Sequence, residues 1–219
     1  MTLPERLAAY NTPEGAQRYL DEYSKVHRKV SDRRERRLLN RWARRIGEPG
    51  TVLDLPCGWG RYLPFFTELG ARVIEADYSV DMVWDSRRLH PGSPPLGGLR
   101  CFGHQIPLAD RAVDLVFSMR LSHHLADPVL RRDHLREILR VADRWVLFTY
   151  FDHASPKNLM RRARTRLGLT DKPPKSTLRR GEVRRIIAES SFEIVTDPFL
   201  FAIGSGHRMV LARRLPAGD

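Results

Sequence analysis

A chain of 219 residues with only two cysteines, Cys57 and Cys101, has room for one well-buried domain and an N-terminal extension. That cysteine usage excludes a disulfide scaffold, a C-x-x-C redox pair and a Cys/His zinc module. Lysine and arginine total 38 against 26 acids, a formal charge of +12 that favours anionic partners such as phosphorylated small molecules, nucleic acid or an anionic membrane face.

Residues 1–30 are polar and carry Tyr10, Tyr19 and Tyr23, with no signal-peptide apolar core at Met1–Arg6. No apolar run reaches the length of a membrane span, so the expectation is a soluble, cytoplasmic protein. From Ser31 the pattern turns helical. Ser31 or Asp32 can cap the helix, Leu38, Leu39, Trp42 and Ile46 recur at turn spacing, and Pro49-Gly50 ends it. Residues 1–48 are read as a helical cap, and 49–219 as a single domain.

Strands then alternate with helices: strand Thr51–Leu55, helix Gly60–Leu69 closed by Gly70, strand Arg72–Ala76 and helix Val80–Leu89. The Pro- and Gly-rich run Pro91–Gly98 is a loop, followed by a short strand at Leu99–Phe102. Strand Val113–Ser118, helix Pro128–Val141 and the very apolar strand Trp145–Phe151 complete the alternation. The pattern predicts an α/β fold, a doubly wound and mostly parallel sheet. Residues 153–180 form a basic, proline-bearing insertion with an amphipathic helix at Asn158–Leu167. Helix Gly181–Glu189 and strands Phe192–Val195 and His207–Ala212 close the chain.

The chemistry is densest at Val52-Leu53-Asp54-Leu55-Pro56-Cys57-Gly58-Trp59-Gly60-Arg61. An apolar run ends in an acid, breaks into a glycine-containing turn and resumes as a helix. Asp77 follows at the end of the next apolar run. This order suits a strand–loop–helix–strand unit that holds an adenosine-bearing cofactor at the carboxyl ends of parallel strands. Gly58 and Gly60 would admit the ligand to the backbone, and Asp77 would accept from ribose hydroxyls. A nicotinamide dinucleotide site fits worse. Tyr62 and Leu63 stand where the third glycine of G-x-G-x-x-G belongs, and Asp54 would repel a pyrophosphate.

The loop resembles the D/E-x-G-x-G-x-G motif of class I S-adenosylmethionine-dependent methyltransferases, with Pro56 at the first glycine. Ala76-Asp77-Tyr78-Ser79, with Met82 beyond, is similar to the family's next motif. Ile106-Pro107-Leu108-Ala109-Asp110 through Val113-Asp114-Leu115-Val116-Phe117-Ser118 resembles its "LPF-x-D-x-x-F-D-x-V-x-S" stretch. Leu121-Ser122-His123-His124-Leu125 and Leu135-Arg136-Glu137-Ile138-Leu139-Arg140-Val141 resemble its "LHHL" and "L-x-E-x-x-R-V" segments. The resemblance implies a Rossmann-like sheet of order 3-2-1-4-5-7-6 with an antiparallel C-terminal hairpin. It implies S-adenosylmethionine as cofactor and S-adenosylhomocysteine as product. Its cofactor contacts would be Asp54, Pro56, Cys57, Gly58, Gly60, Arg61, Asp77, Tyr78, Met82, Phe102, Gly103 and Met119, with Tyr19 and Arg28 closing from the N-terminal segment. Phe102 stands where many members carry an adenine-binding aspartate, and Pro56 lacks a backbone donor.

Methyl transfer from a sulfonium needs mainly a well-placed acceptor, with a general base where the acceptor is a hydroxyl. The base candidates are His123 and His124 after the fourth strand and Asp152 after the fifth. Met119-Arg120-Leu121-Ser122 offers no carboxylates, so a metal-free reaction is expected. Arg120 can clamp an anionic acceptor or pair with Asp114 or Asp127, and Arg161 and Arg162 of the insertion can recruit one. The expected partner is a small-molecule or glycolipid acceptor, with O-methylation foremost, and the basic insertion is a candidate contact with an anionic membrane surface. An RNA methyltransferase is the first alternative, but the chain lacks N/D-P-P-Y/F after the fourth strand, and its basic insertion is poor in aromatics. A non-catalytic cofactor-binding interaction protein is the second.

Overall fold

The computed structural model describes residues 26–171, 175–201 and 205–216, with the side chains of the first helix described from Asp32 onward. Tyr19 and most of the N-terminal segment lie outside the described residues. The elements are α1 (Val26–Ile46), β1 (Thr51–Asp54), α2 (Leu63–Glu68), β2 (Arg72–Asp77), α3 (Val80–Leu89), β3 (Gly97–Arg100) and β4 (Val113–Ser118). They continue as a 3₁₀ turn (Ser122–His124), α4 (Pro128–Val141), β5 (Ala142–Phe151), α5 (Pro156–Arg166), α6 (Arg180–Glu189), β6 (Phe192–Thr196) and β7 (His207–Arg214).

The strands form one sheet in the order β3-β2-β1-β4-β5-β7-β6. Pairs β1–β2, β1–β4, β2–β3 and β4–β5 are parallel, whereas β7 runs antiparallel between β5 and β6. The expected α/β class, Rossmann-like strand order and C-terminal hairpin are all present. Such parallel strands need both faces covered. Leu115, Phe117, Trp145 and Leu147 pack with Leu38, Trp42 and Phe66 of α1 and α2. The alternate positions Val116, Val146, Phe148 and Tyr150 pack with Leu135, Ile138, Val183 and Ile187 of α4 and α6. The period-2 direction of strand side chains thus divides the core into two layers.

Several boundaries differ from expectation, and three of the differences bear on the site. Helix α1 begins at Val26 rather than Ser31, because no breaker separates the two segments. Asp32 is consequently no cap; it pairs with Arg36 and Arg61, both at 3.1 Å. Helix α2 starts only at Leu63, with Pro64 in its first turn, and the residues from Cys57 to Tyr62 remain a loop. Strand β3 ends at Arg100, since Phe102 instead bridges to Gln105 in a tight turn.

Candidate functional site

Strands β1, β2 and β4 all end at one edge of the sheet, beside the order reversal between β1 and β4, and the loops leaving them line a cleft of about 1050 Å³ with open solvent included. A crevice at this position is what a doubly wound sheet builds. One wall is Leu55-Pro56-Cys57-Gly58-Trp59, and a second is Asp77-Tyr78-Ser79 with Met82. Cys101 to His104 form the third, and Met119, Arg120, Leu121 and His124 the fourth.

Asp77 organises the loop. Its Oδ2 accepts from the Gly58 N–H at 3.1 Å and its Oδ1 from the Ser79 N–H at 2.9 Å, so one carboxylate joins the glycine turn to the start of α3. Gly58 has φ +56°, the left-handed region that favours glycine. Burial raises the Asp77 pKa, and the backbone donors act against that rise.

Gly60 has a different job from the one expected. Its φ is +77°, and a Cβ there would collide with Ser86 Oγ and stand 2.9 Å from Ser86 Cβ and 3.0 Å from the His90 ring. Gly60 admits α3 to the loop and is not part of the cleft wall. Gly60→Ala is therefore expected to destabilise the fold by about 2–5 kcal/mol, the sum of a left-handed alanine and an overpacked contact. Thermal unfolding measures it, and an unchanged midpoint would show that α3 yields freely.

Behind the loop lies a cluster of acids. Asp54 and Glu75 are register partners on β1 and β2 and both are buried. Neither oxygen of Asp54 has a protein partner, whereas Glu75 Oε2 accepts from the Ser86 hydroxyl at 2.7 Å. Burial and then the Glu75 charge push the Asp54 pKa well up, with Arg61 opposing. Burial brings Glu75 to about 7, against hydrogen bonds from Ser86 and Cys57. Burial and the same three acids raise the Cys57 thiol well above its usual value, so it stays protonated and is no nucleophile.

The Glu75 value carries a sign. A carboxyl that titrates near 7 in the fold and near 4.5 when unfolded binds more protons in the native state between those values, so its share of stability falls as pH rises through that window. Glu75→Gln should remove this slope. Urea midpoints for the two proteins at pH 4.5 to 7.5 should diverge upward, the variant gaining on wild type as pH rises; parallel curves would refute the assignment.

Behind the lining residues Arg61, Tyr62 and Arg120 lies a buried acid of α1 that sequence reasoning missed. Glu35 is 0% exposed. Its Oε2 accepts from Arg61 Nη2 at 2.8 Å and from the Tyr62 hydroxyl at 2.9 Å, and its Oε1 accepts from Arg120 through Nε (3.1 Å) and Nη2. Arg61 also donates to the Tyr62 hydroxyl. Arg120 has φ +65°, with its N–H on Thr149 Oγ1 at 2.7 Å. It pairs with Glu35, neither with Asp114 nor with Asp127. Asp114 instead accepts from the Thr51 N–H at 2.8 Å, and Asp127 caps α4. Burial pushes the Glu35 pKa up, but Arg120 and Arg61 overcome it and the net is a lowering.

His134 was also missed. Its Nδ1 donates to the Gly103 carbonyl at 2.7 Å and its Nε2 accepts from Ser118 Oγ at 3.2 Å, which ties α4 to two cleft walls. Burial lowers its pKa to about 4, so the ring is neutral as this tautomer.

The histidines proposed as bases separate. His124 lines the cleft. His123 packs edge-on to Phe151 and beside His124 and His207, and burial followed by the His124 charge lowers its pKa well below 6.5. Asp152 is buried outside the cleft wall. It pairs with Arg208 at 2.5 Å, and its Oδ1 accepts from the Ala154 N–H. Arg161 and Arg162 lie on α5, away from the wall. Arg28 is in α1, its side chain outside the described region. Among the described residues no cluster of three or more His, Cys, Asp or Glu side chains is placed to hold a metal ion, and no helix is long and apolar enough to cross a membrane.

Comparison with known proteins supports the same assignment. Residues 53–145 match the family model described as a methyltransferase domain. An uncharacterized 37.1 kDa protein in transposon Tn4556 of Streptomyces fradiae is 34% identical over 107 residues, which are 45% of this chain and 30% of that protein. The match thus spans less than a third of that relative. Magnesium protoporphyrin IX methyltransferase from Synechocystis PCC 6803, solved with bound SAH, superposes with a TM-score of 0.76 at 17% identity over 94% of this chain and 97% of that one. The 1,6-didemethyltoxoflavin-N1-methyltransferase of Burkholderia thailandensis superposes at 0.63 and 16% identity over 99% and 92%. With the glycine loop, the acid closing β2 and the order 3-2-1-4-5-7-6 in place, residues 53–145 carry a methyltransferase-domain match inside a sheet that shares its Rossmann-like fold with solved S-adenosylmethionine-dependent methyltransferases.

Proposed function

We propose that the protein transfers a methyl group from S-adenosylmethionine to a small-molecule acceptor. The observation that carries this reading is Asp77, fixed at the glycine turn with both oxygens oriented, in a cleft built from three parallel strand ends. The residues present fit the cofactor. Asp77 can accept from ribose hydroxyls, and the two unpartnered oxygens of Asp54 lack the donors an ammonium group supplies. Tyr78 and Phe102, with ring centroids 4.8 Å apart, and Met82 give the apolar and aromatic surface an adenine ring needs. Phe102 thus serves by contact where a carboxylate would serve by hydrogen bonding.

When bound, S-adenosylmethionine supplies a methyl group on a sulfonium centre with a neutral thioether as leaving group. The chain's own task is to place the acceptor, to exclude water and to remove a proton where the acceptor carries one. His124 reaches the cleft and is the residue for that proton. His123 holds its ring against Phe151. The magnesium protoporphyrin IX methyltransferase and the 1,6-didemethyltoxoflavin-N1-methyltransferase act, by their names, on small molecules, the second at a nitrogen, so O-methylation is one of two chemistries the reading admits. An anionic acceptor suits the net charge of +12.

Calorimetric titration of S-adenosylmethionine and S-adenosylhomocysteine, with NAD as a decoy, tests the proposal. Binding of the first pair and not the third is the expected result, after which acceptors are screened by production of S-adenosylhomocysteine. A folded protein that binds none of them refutes it.

A further inference from the structure

Helix α5 presents an exposed apolar face among the described residues. It is capped by Ser155, whose Oγ accepts from the Asn158 N–H at 3.3 Å, and it carries no acid from Pro156 to Arg166. Asn158 is its one buried residue, donating to the carbonyls of Asp152 (2.8 Å) and Gly206 (3.4 Å). The large apolar side chains point elsewhere: Leu159 is 49% exposed, Met160 62%, Leu167 71% and Leu169, just beyond the helix, 63%.

The arrangement around the helix is ordered. At about 100° per residue, Leu159, Met160, Ala163 and Leu167 fall within an arc of roughly 100°, on the side opposite Asn158 and Thr165. Lys157, Arg161 and Arg164 run along one flank of this stripe, and Arg162 and Arg166 along the other. An apolar strip turned away from the body and bordered on both sides by cations is the design of a helix lying in a bilayer interface. Its leucines and methionine enter the acyl boundary while its arginines meet lipid phosphates.

We propose that α5 docks the protein on an anionic phospholipid surface. Charge complementarity commits the surface to that occupant: the strip is apolar at its centre and only cationic at its rims. A single-stranded nucleic acid would need bases stacked on aromatic side chains, and α5 contains none. The helix starts five residues after β5 ends, at the sheet edge that carries the cleft, so docking holds that edge beside the lipid. The inference does not depend on the identity of the methyl acceptor.

Sedimentation of the full chain with phosphatidylcholine vesicles, with and without phosphatidylglycerol, tests it. Two variants accompany wild type: Leu159→Gln/Met160→Gln/Leu167→Gln and Arg164→Gln/Arg166→Gln. The expected result is binding only to the phosphatidylglycerol vesicles, weakened about tenfold or more in each variant, with unfolding midpoints unchanged because none of these side chains is buried. Three results overturn the proposal. Wild type does not sediment with anionic vesicles; the apolar variant sediments as wild type does; or the wild type is a dimer that the apolar variant converts to monomer, which makes the strip a contact between copies of this chain.

Discussion

Glu35→Ala is expected to cost about 3–5 kcal/mol, the loss seen when one member of a buried ionic network is removed. Glu35 is the shared acceptor for Arg61, Tyr62 and Arg120, and its side chain is without solvent access. The deletion removes the acceptor that Arg61 and Arg120 share at the cleft wall. Asp32, 3.1 Å from Arg61 Nη1, offsets part of the Arg61 charge but is not paired with Arg120. For a domain of this size the loss corresponds to a fall in melting temperature of roughly 6–20 °C. Asp32→Asn is the internal comparison. Its carboxylate is a quarter exposed, so the expected cost is under about 1 kcal/mol. Because the net shift of the Glu35 pKa is downward, its stabilisation is fully present above the unfolded value near 4.5 and is lost only as pH falls through the lowered native value. Equal effects of the two substitutions would show that water reaches the network and that Glu35 is not its essential member.

The contrast between Glu35 and Asp77 shows what kind of information a sequence yields. Asp77 closes an apolar strand at a fixed distance from a glycine turn, a local pattern that marks a ligand site before any coordinates exist. The sheet was legible for the same reason: each strand is a short apolar run bounded by turn residues, so the alternation and the doubly wound class follow from the pattern. The exact strand order needed the family resemblance. Glu35 lies one turn before Leu38 and Leu39, in the stripe that continues to Trp42 and Ile46, and an acid in that stripe signals a buried partner. The signal was there; the partner was not, because Arg61 and Arg120 lie 26 and 85 residues away. Glu75 and His134 behave alike. Glu75 alternates with Val73 and Asp77 on one strand face, and His134 precedes Leu135 in the apolar stripe of α4. Burial can be read from period, but what satisfies a buried polar group depends on tertiary contacts that no local window contains. The same limit explains Gly60, where a cofactor motif suggested ligand approach and the close neighbour is Ser86.

Asp77→Ala should lower affinity for S-adenosylmethionine on the order of 100-fold, the loss of two hydrogen bonds to an ionised acceptor together with a loosened turn. Removing this carboxylate acts twice. On the proposed reading it withdraws the acceptor for the ribose hydroxyls, and it frees the Gly58 and Ser79 N–H groups that it now holds at 3.1 and 2.9 Å. Asp77→Asn should recover little. An amide keeps one acceptor oxygen but turns its NH₂ toward one of those two donors, so one backbone group is left facing a donor. A general loss of stability has to be separated from a loss of the site, and Asp114→Asn makes that separation. Asp114 Oδ2 likewise accepts backbone and hydroxyl donors, from Thr51 N–H at 2.8 Å and Thr51 Oγ1 at 2.9 Å, but at the opposite end of the strands from the cleft. It should unfold more readily than wild type and bind the cofactor as wild type does. Equal binding losses in Asp77→Ala and Asp114→Asn would mean that affinity follows global stability. Unimpaired binding by Asp77→Ala would remove the residue on which the methyltransferase reading of this cleft rests.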